Sequence, residues 1–249
     1  MIGVGLAEAG WLPDWIIRRG IRSMLRDRLR GLEQPDPEAA LLGIAAFLED
    51  LRQSPVAVAP ELANEQHYEV VPEFFEAVLG PRLKYSCALW PGDLQGLETA
   101  EDCMLSLTCD RAQIQDGMRV LDLGCGWGSA SLWIAQHHPG CRVLAVSNSK
   151  LQRDFIAARA ARRKLGNLEV QTADVNDFEP EGVFDRIVSV EMFEHLRNWE
   201  ALLARMASWL TPGGKAFLHF FCHRKHAYLY DSSGENDWMG RHFFTGGMM

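Results

Sequence analysis

Arg119-Val-Leu-Asp-Leu-Gly-Cys-Gly-Trp-Gly128 decides how the rest of the chain is read. Val120, Leu121 and Leu123 make a short apolar run suited to a buried parallel strand. Gly124, Gly126 and Gly128 follow on alternate positions, and backbone without Cβ atoms can turn sharply and let a ligand lie against it. Ser129 to Gln136 then reads as a helix. Strand, glycine turn and helix together form the nucleotide-binding corner of a doubly wound fold.

The corner departs from the dinucleotide fingerprint. That pattern needs its third glycine one residue later, where Ser129 stands, and an acid about 20 residues further on. The second strand, Arg142 to Val146, runs instead into Ser147-Asn-Ser-Lys150 with no carboxylate at its end. The tight Gly-x-Gly-x-Gly spacing resembles the first motif of class I methyltransferases, which bind S-adenosyl-L-methionine.

Downstream, strands and helices alternate. A helix over 129–138 stops at Pro139-Gly140, a strand covers 141–147, and a helix over about 150–165 stops at Gly166-Asn167. Strands follow at 168–172 and 185–190, then a helix at about 197–210 and a fifth strand over Lys215–Phe221. Short turns between alternating elements predict a parallel sheet with helices on both faces. Upstream, residues 12–33 read as an amphipathic helix whose Trp15, Ile16, Ile17, Ile21, Met24, Leu25 and Leu29 share a broad face. Its arginines line the rest, and packing of the apolar face on the core is expected in preference to membrane binding. A second helix over about 38–52 leads to a proline-bounded linker, Ser54–Pro60. The division expected is a helical extension with linker over 1–60 and a catalytic domain over 61–249.

The composition bounds the class. With 249 residues, 47% hydrophobic and 23% charged, the chain has room for one large α/β domain and an appendage. The net charge of −8 argues against nucleic acid or an anionic membrane as partner. No apolar run reaches spanning length and no secretory h-region opens the chain, so a cytoplasmic location is expected. Six cysteines show no Cys-x-x-Cys pair and no metal-type grouping with histidine in the sequence, and read as reduced thiols.

His67-Tyr68, Tyr85-Ser-Cys87, the glycine turn, Ser147-Asn-Ser-Lys-Leu-Gln152 and Glu191-Met-Phe-Glu-His195 occur in this order. The order resembles that of the cyclopropane fatty acid synthase-like methyltransferases. Phe221-Cys-His-Arg224, Asp237-Trp-Met239 and Phe243-Phe-Thr-Gly-Gly247 make the tail similar to the coclaurine N-methyltransferase branch. The resemblance implies a Rossmann-like class I fold and S-adenosyl-L-methionine as cofactor. It implies that Tyr85 and Ser86 close over the cofactor, and that Gly124, Gly126 and Gly128 bring backbone to it beside Asp122. Ser147 and Gln152 would bond the ribose in place of the missing acid, and Asp174 would lie near the adenine. From the residues alone, Ser147 also reads as a helix N-cap.

Ligands of such folds sit beyond the carboxyl ends of the strands, and strand four delivers Glu191, Glu194 and His195 there. On a helix these three would share a face. Two carboxylates and an imidazole suit a cationic or amine acceptor, with Glu194 or His195 taking the proton that frees the nitrogen lone pair. A second reading, implied by the same resemblance, is methylene transfer to an unsaturated phospholipid. Bicarbonate would then serve as the base, held at Cys87, Glu194 and His219. A third is a cofactor-binding module without turnover. Family members continue past the strand at 215–221 with further strands and pocket helices. The sequence therefore predicts an open sheet edge prone to self-association, and water at Glu194.

Overall fold

β1 (Arg119–Leu123) lies at the centre of a five-stranded, all-parallel sheet. Its neighbours are β2 (Arg142–Ser147) on one side and β4 (Phe184–Val190) on the other; β3 (Leu168–Thr172) and β5 (Leu210–His219) lie outside them. The order β3-β2-β1-β4-β5 reverses direction between β1 and β4, the crevice where doubly wound folds bind ligands. A computed structural model describes residues 2–60, 70–230 and 237–249. His67 and Tyr68 lie outside the described residues.

Alternation along the strands builds two cores. Leu121 and Leu123 of β1, with Val146 of β2 and Ile187 of β4, face one side of the sheet. There they pack on Leu202 and Met206 of a helix at Trp199–Ser208. Val120, Val143 and Val188 face the other side, against Cys109 and Ala112 of a helix at Leu97–Ala112 and Ile134 of a helix at Ser129–His137. A helix at Lys150–Arg162 covers the β2–β3 side through Ile156 and Ala160. The strand expected at 215–221 starts earlier, at Leu210. Phe184 pairs with Leu210 and Arg186 with Lys215, so Thr211–Gly214 is absorbed as a bulge at the strand's start. Among the described strands β5 stands at the edge, as expected.

The N-terminal helices, at Ile2–Glu8, Asp14–Leu32 and Pro37–Gln53, precede the sheet. The expectation that the apolar face of the second would pack on the core is not met. No residue of this helix is buried, and Trp15, Ile21, Leu25 and Leu29 are exposed. Its Arg28 Nη2 instead pairs with Asp237 Oδ2 at 2.8 Å, and the guanidinium lies over the Tyr228 ring. None of the helices in the described residues is long and apolar enough to cross a membrane.

The segment 54–60 is not a free linker. Val56 and Ala57 belong to the core beneath β1 and β4. Arg197 N–H donates to Val56 O at 2.8 Å, and Asn176 Oδ1 accepts from Ala57 N–H at 2.9 Å. Proline-fixed extended backbone can be read from sequence, but the apolar groove that receives it cannot. Val56→Ala is expected to lower the unfolding free energy by about 1–3 kcal/mol. Leu25→Ala, on the exposed helix face, should stay within about 0.5 kcal/mol of the parent in urea melts.

Candidate active site

The glycine turn is anchored to the end of β2, where Gly124 N–H and Cys125 N–H both donate to Val146 O, at 3.0 and 2.9 Å. All three glycines have positive φ, but their surroundings differ. A Cβ on Gly124 would stand 2.6 Å from Met192 Sδ, and one on Gly128 2.7 Å from Ile156 Cγ1. A Cβ on Gly126 would meet no atom within 4 Å. Two glycines thus serve packing, and Gly126 faces open groove.

That groove runs past the turn on both sides. One side carries Ser147, Asn148, Gln152 and Asp174; the other carries Tyr85, Ser86, Asp122 and Ser129; Gly124, Gly126 and Glu191 border both. Ser147 is not the helix N-cap. That role falls to Ser149, whose Oγ accepts from Gln152 N–H at 3.3 Å, one turn below. Ser147 Oγ accepts from Ser149 N–H and donates to Gln152 Oε1 at 2.5 Å. This orients the Gln152 amide so that its Nε2 is buried with no protein partner. An orphaned buried donor costs about 1–3 kcal/mol, and a ligand oxygen in the groove would satisfy it. Ser129 Oγ, across the turn, is likewise unpartnered. Asp174 Oδ1 accepts from Asn176 N–H at 2.8 Å, which fixes its carboxylate at the groove wall. An open glycine cradle with unsatisfied donors on either side fits a polar, elongated cofactor.

The loop bearing Tyr85, Ser86 and Cys87 is held from below by buried Glu101. Its carboxylate accepts from Arg82 N–H at 3.0 Å and Lys84 N–H at 3.1 Å. Lys84, missed in the sequence reading, is buried and donates from Nζ to Ser86 Oγ at 2.6 Å. Burial lowers its pKa, against the pull of Cys87 and Glu191. No periodic pattern marks this lysine; its burial comes from the loop folding onto the sheet. Trp127 was missed too: its ring lies tilted against Phe75 and edge-to-face with Phe155, and it lines the same side of the groove as Tyr85. Asp122 lies on the helix-packed face of β1 and accepts a hydrogen bond from Ser131 Oγ. Burial pushes its carboxyl up to about 6.

The helix that would align Glu191, Glu194 and His195 does not form. A single 3₁₀ turn spans Phe193–His195, and Glu191 precedes it with φ of 53°. A non-glycine residue in that region costs roughly 1–3 kcal/mol. Glu191 is held there because its N–H donates to His219 O at 2.7 Å, continuing the β4–β5 ladder beyond the strand. His219 Nε2 lies 3.6 Å from both Glu191 Oε1 and Cys87 Sγ. The carboxylate grouped with Cys87 and His219 is therefore that of Glu191, where the lipid reading takes Glu194. Burial lowers the pKa of His219, against the attraction of Glu191.

Water does not reach Glu194, which is 1% exposed. The expectation of an open site fails because the C-terminal segment folds back over it. Met248 N–H donates to Glu194 O at 2.9 Å, Gly247 packs on the same carbonyl, and Arg197 Nε binds Gly246 O. The Phe244 ring lies 5.2 Å from that of His195. Neither Glu194 carboxyl oxygen receives a hydrogen bond from a neighbouring donor. The Glu191 carboxyl group lies beside it, and Tyr230 is close enough to feel its charge. Burial first, then Glu191, push Glu194 up to about 9.

The profile of the family described as mycolic acid cyclopropane synthetase matches residues 59–249. The chain belongs to this family. It is 38% identical to the (S)-coclaurine N-methyltransferase of Thalictrum flavum subsp. glaucum, over 97% of the chain and 67% of that protein. It is 32% identical to the cyclopropane-fatty-acyl-phospholipid synthase of Escherichia coli K12, over 76% of the chain and 47% of that protein. A crystal structure of coclaurine N-methyltransferase bound to N-methylheliamine and SAH superposes with a TM-score of 0.91. That match covers 98% of the chain and 71% of the other at 38% identity. The chain is an S-adenosyl-L-methionine-dependent methyltransferase of Rossmann-like fold, and the cyclopropane synthases are its more distant relatives.

Gly126→Val is expected to abolish cofactor binding in calorimetry while the melting temperature falls by no more than the positive φ demands. Gly124→Val should instead unfold the corner by driving into Met192. Glu194 also sets a pH dependence. Its folded pKa is raised, so its contribution is fully present below about pH 4.5, where both states hold the proton. Between there and about 9 the unfolded chain releases the proton while the folded one keeps it, and stability falls. In urea melts from about pH 5 to 8, Glu194→Gln should show a shallower decline than the parent.

Proposed function

We propose that this enzyme transfers a methyl group to the nitrogen of a small amine that arrives as a cation. The observation that carries this reading is buried Glu194, whose pKa is raised by burial and by Glu191, the half-buried carboxyl group that borders the groove. Such a pair attracts an ammonium ion and offers nothing to a neutral alkene. A cation seated on Glu191 lowers that raised pKa, so Glu194 gives its own proton to solvent and the resulting carboxylate takes one from the ammonium nitrogen. The freed lone pair becomes the nucleophile. S-adenosyl-L-methionine supplies an electrophilic methyl group when bound.

The chain's own residues then orient and enclose. Glu191 holds the acceptor, Glu194 or His195 takes the proton, and Tyr85 and Ser86 close the loop side. Asp122, Gly124, Gly126, Gly128, Ser147, Gln152 and Asp174 form the cofactor half of the groove. Residues 61–249 serve as the methyltransferase unit and 1–60 as an appended part whose end, through Val56 and Ala57, packs into the core of that unit. Pairing of β5 with another copy is the route by which self-association would occur. The lipid reading retains one supporting observation, the proximity of Cys87 and His219 to a carboxylate. Bicarbonate would have to bind there beside an existing negative charge.

The deciding assay offers cyclic secondary amines and unsaturated phospholipid vesicles in parallel. Methylated amine is the expected product, insensitive to bicarbonate depletion; product only from the vesicles would overturn the reading. Glu194→Gln should lower amine turnover by about 10²–10⁴-fold with cofactor affinity nearly unchanged.

A further inference from the structure

Three potential metal donors from distant parts of the chain converge at Glu191, which borders the groove. Cys87 comes from the loop held by Glu101, Glu191 from the residue after β4, and His219 from the end of β5. Their nearest donor atoms, Sγ, a carboxylate oxygen and Nε2, all lie within 4.8 Å of one another. The two contacts to Nε2 are 3.6 Å each. Zinc bonds of about 2.3 Å to sulfur and 2.0–2.2 Å to nitrogen and oxygen, at tetrahedral angles, set neighbouring donors about 3.3–3.6 Å apart. The present spacing needs only small side-chain movement to meet that.

We propose that Cys87, Glu191 and His219 form a binding site for a thiophilic divalent cation, zinc in particular, and that its occupancy blocks methyl transfer. The backbone is already set for it. Glu191 N–H donates to His219 O, so two of the three ligands ride on one rigid strand pair. Cys87 is exposed and gives the cation an approach from solvent. Three protein ligands leave a fourth position for water. On binding, the Cys87 thiol gives its proton to solvent and the thiolate becomes the ligand.

The donor set also selects the metal. Sulfur and imidazole favour zinc over magnesium or calcium, which seek oxygen. Lys84 and Arg111 both act on His219 as like charges. They repel every divalent cation alike, so binding must come from the bond to sulfur, which zinc makes and magnesium or calcium does not. The binding claim stands on geometry; the inhibition rests on the proposed role of Glu191 in holding the amine.

Chelator-treated enzyme titrated with cadmium should develop an ultraviolet thiolate-to-metal charge-transfer band that saturates at one equivalent. Cys222→Ser, at the other exposed thiol, should keep the band. Cys87→Ser should lose it, and zinc affinity by calorimetry should drop by more than the roughly 10–100-fold that loss of an outer partner costs. A band that persists in Cys87→Ser, or none at one equivalent in the parent, overturns the site. Zinc should also inhibit amine turnover, reversibly with chelator. Each variant is compared with its own zinc-free rate, and Cys87→Ser should resist the inhibition. A saturated band with undiminished turnover overturns the inhibitory claim. An enzyme inactive on amines without zinc would count against the acceptor assignment and leave the spectroscopic result as it is.

Discussion

Two positions in the glycine turn where no Cβ fits set the spacing of everything around the site. Gly124 lies against Met192 and Gly128 against Ile156, so the backbone of the β1 corner packs directly on side chains of the segment after β4 and of the helix at Lys150–Arg162. Side chains at either position would push these elements apart. The groove would then widen, and Gln152 and Glu191 would no longer face each other across Gly126. Interiors at crystal-like density transmit such a displacement instead of absorbing it.

Around that corner the site is electrostatically divided. On the cofactor half, serine and amide groups hold one another in place and leave donors unsatisfied, with Asp122 and Asp174 on the walls. On the acceptor half, Glu194 lies with a raised pKa beneath a cover formed by residues 244–248, with Glu191 beside it. The same Glu191 also borders the Cys87–His219 cluster. One carboxylate thereby links the reading of a cationic substrate with that of a competing metal ion. It does so from a strained backbone, with φ of 53°.

Much of this was legible in the sequence. The strand, turn and helix at 119–137, the alternation that follows and the edge position of β5 rest on local periodicity, glycine spacing and short connections. Those are properties of neighbouring residues, and the chain carries them wherever it folds. The approximate place of Glu191, Glu194 and His195, beyond the end of β4, follows from the fold class in the same way.

Tertiary structure alone decided the rest. Thr211–Gly214 reads as a turn but is taken into β5, because Phe184 and Arg186 offer partners on either side of it. Val56 and Ala57 read as linker but fill the core, because an apolar groove forms between elements more than 100 positions away. Glu194 reads as a solvated base and becomes a neutral buried acid when Met248 closes on its carbonyl. Cys87 and His219 show no metal-ligand spacing in sequence, yet stand 3.6 Å apart across 132 positions. Sequence determines what each residue can do and which local shape it prefers. Which charges lose their water, and which distant donors meet, is set by how finished elements pack, since desolvation and proximity belong to the assembled fold.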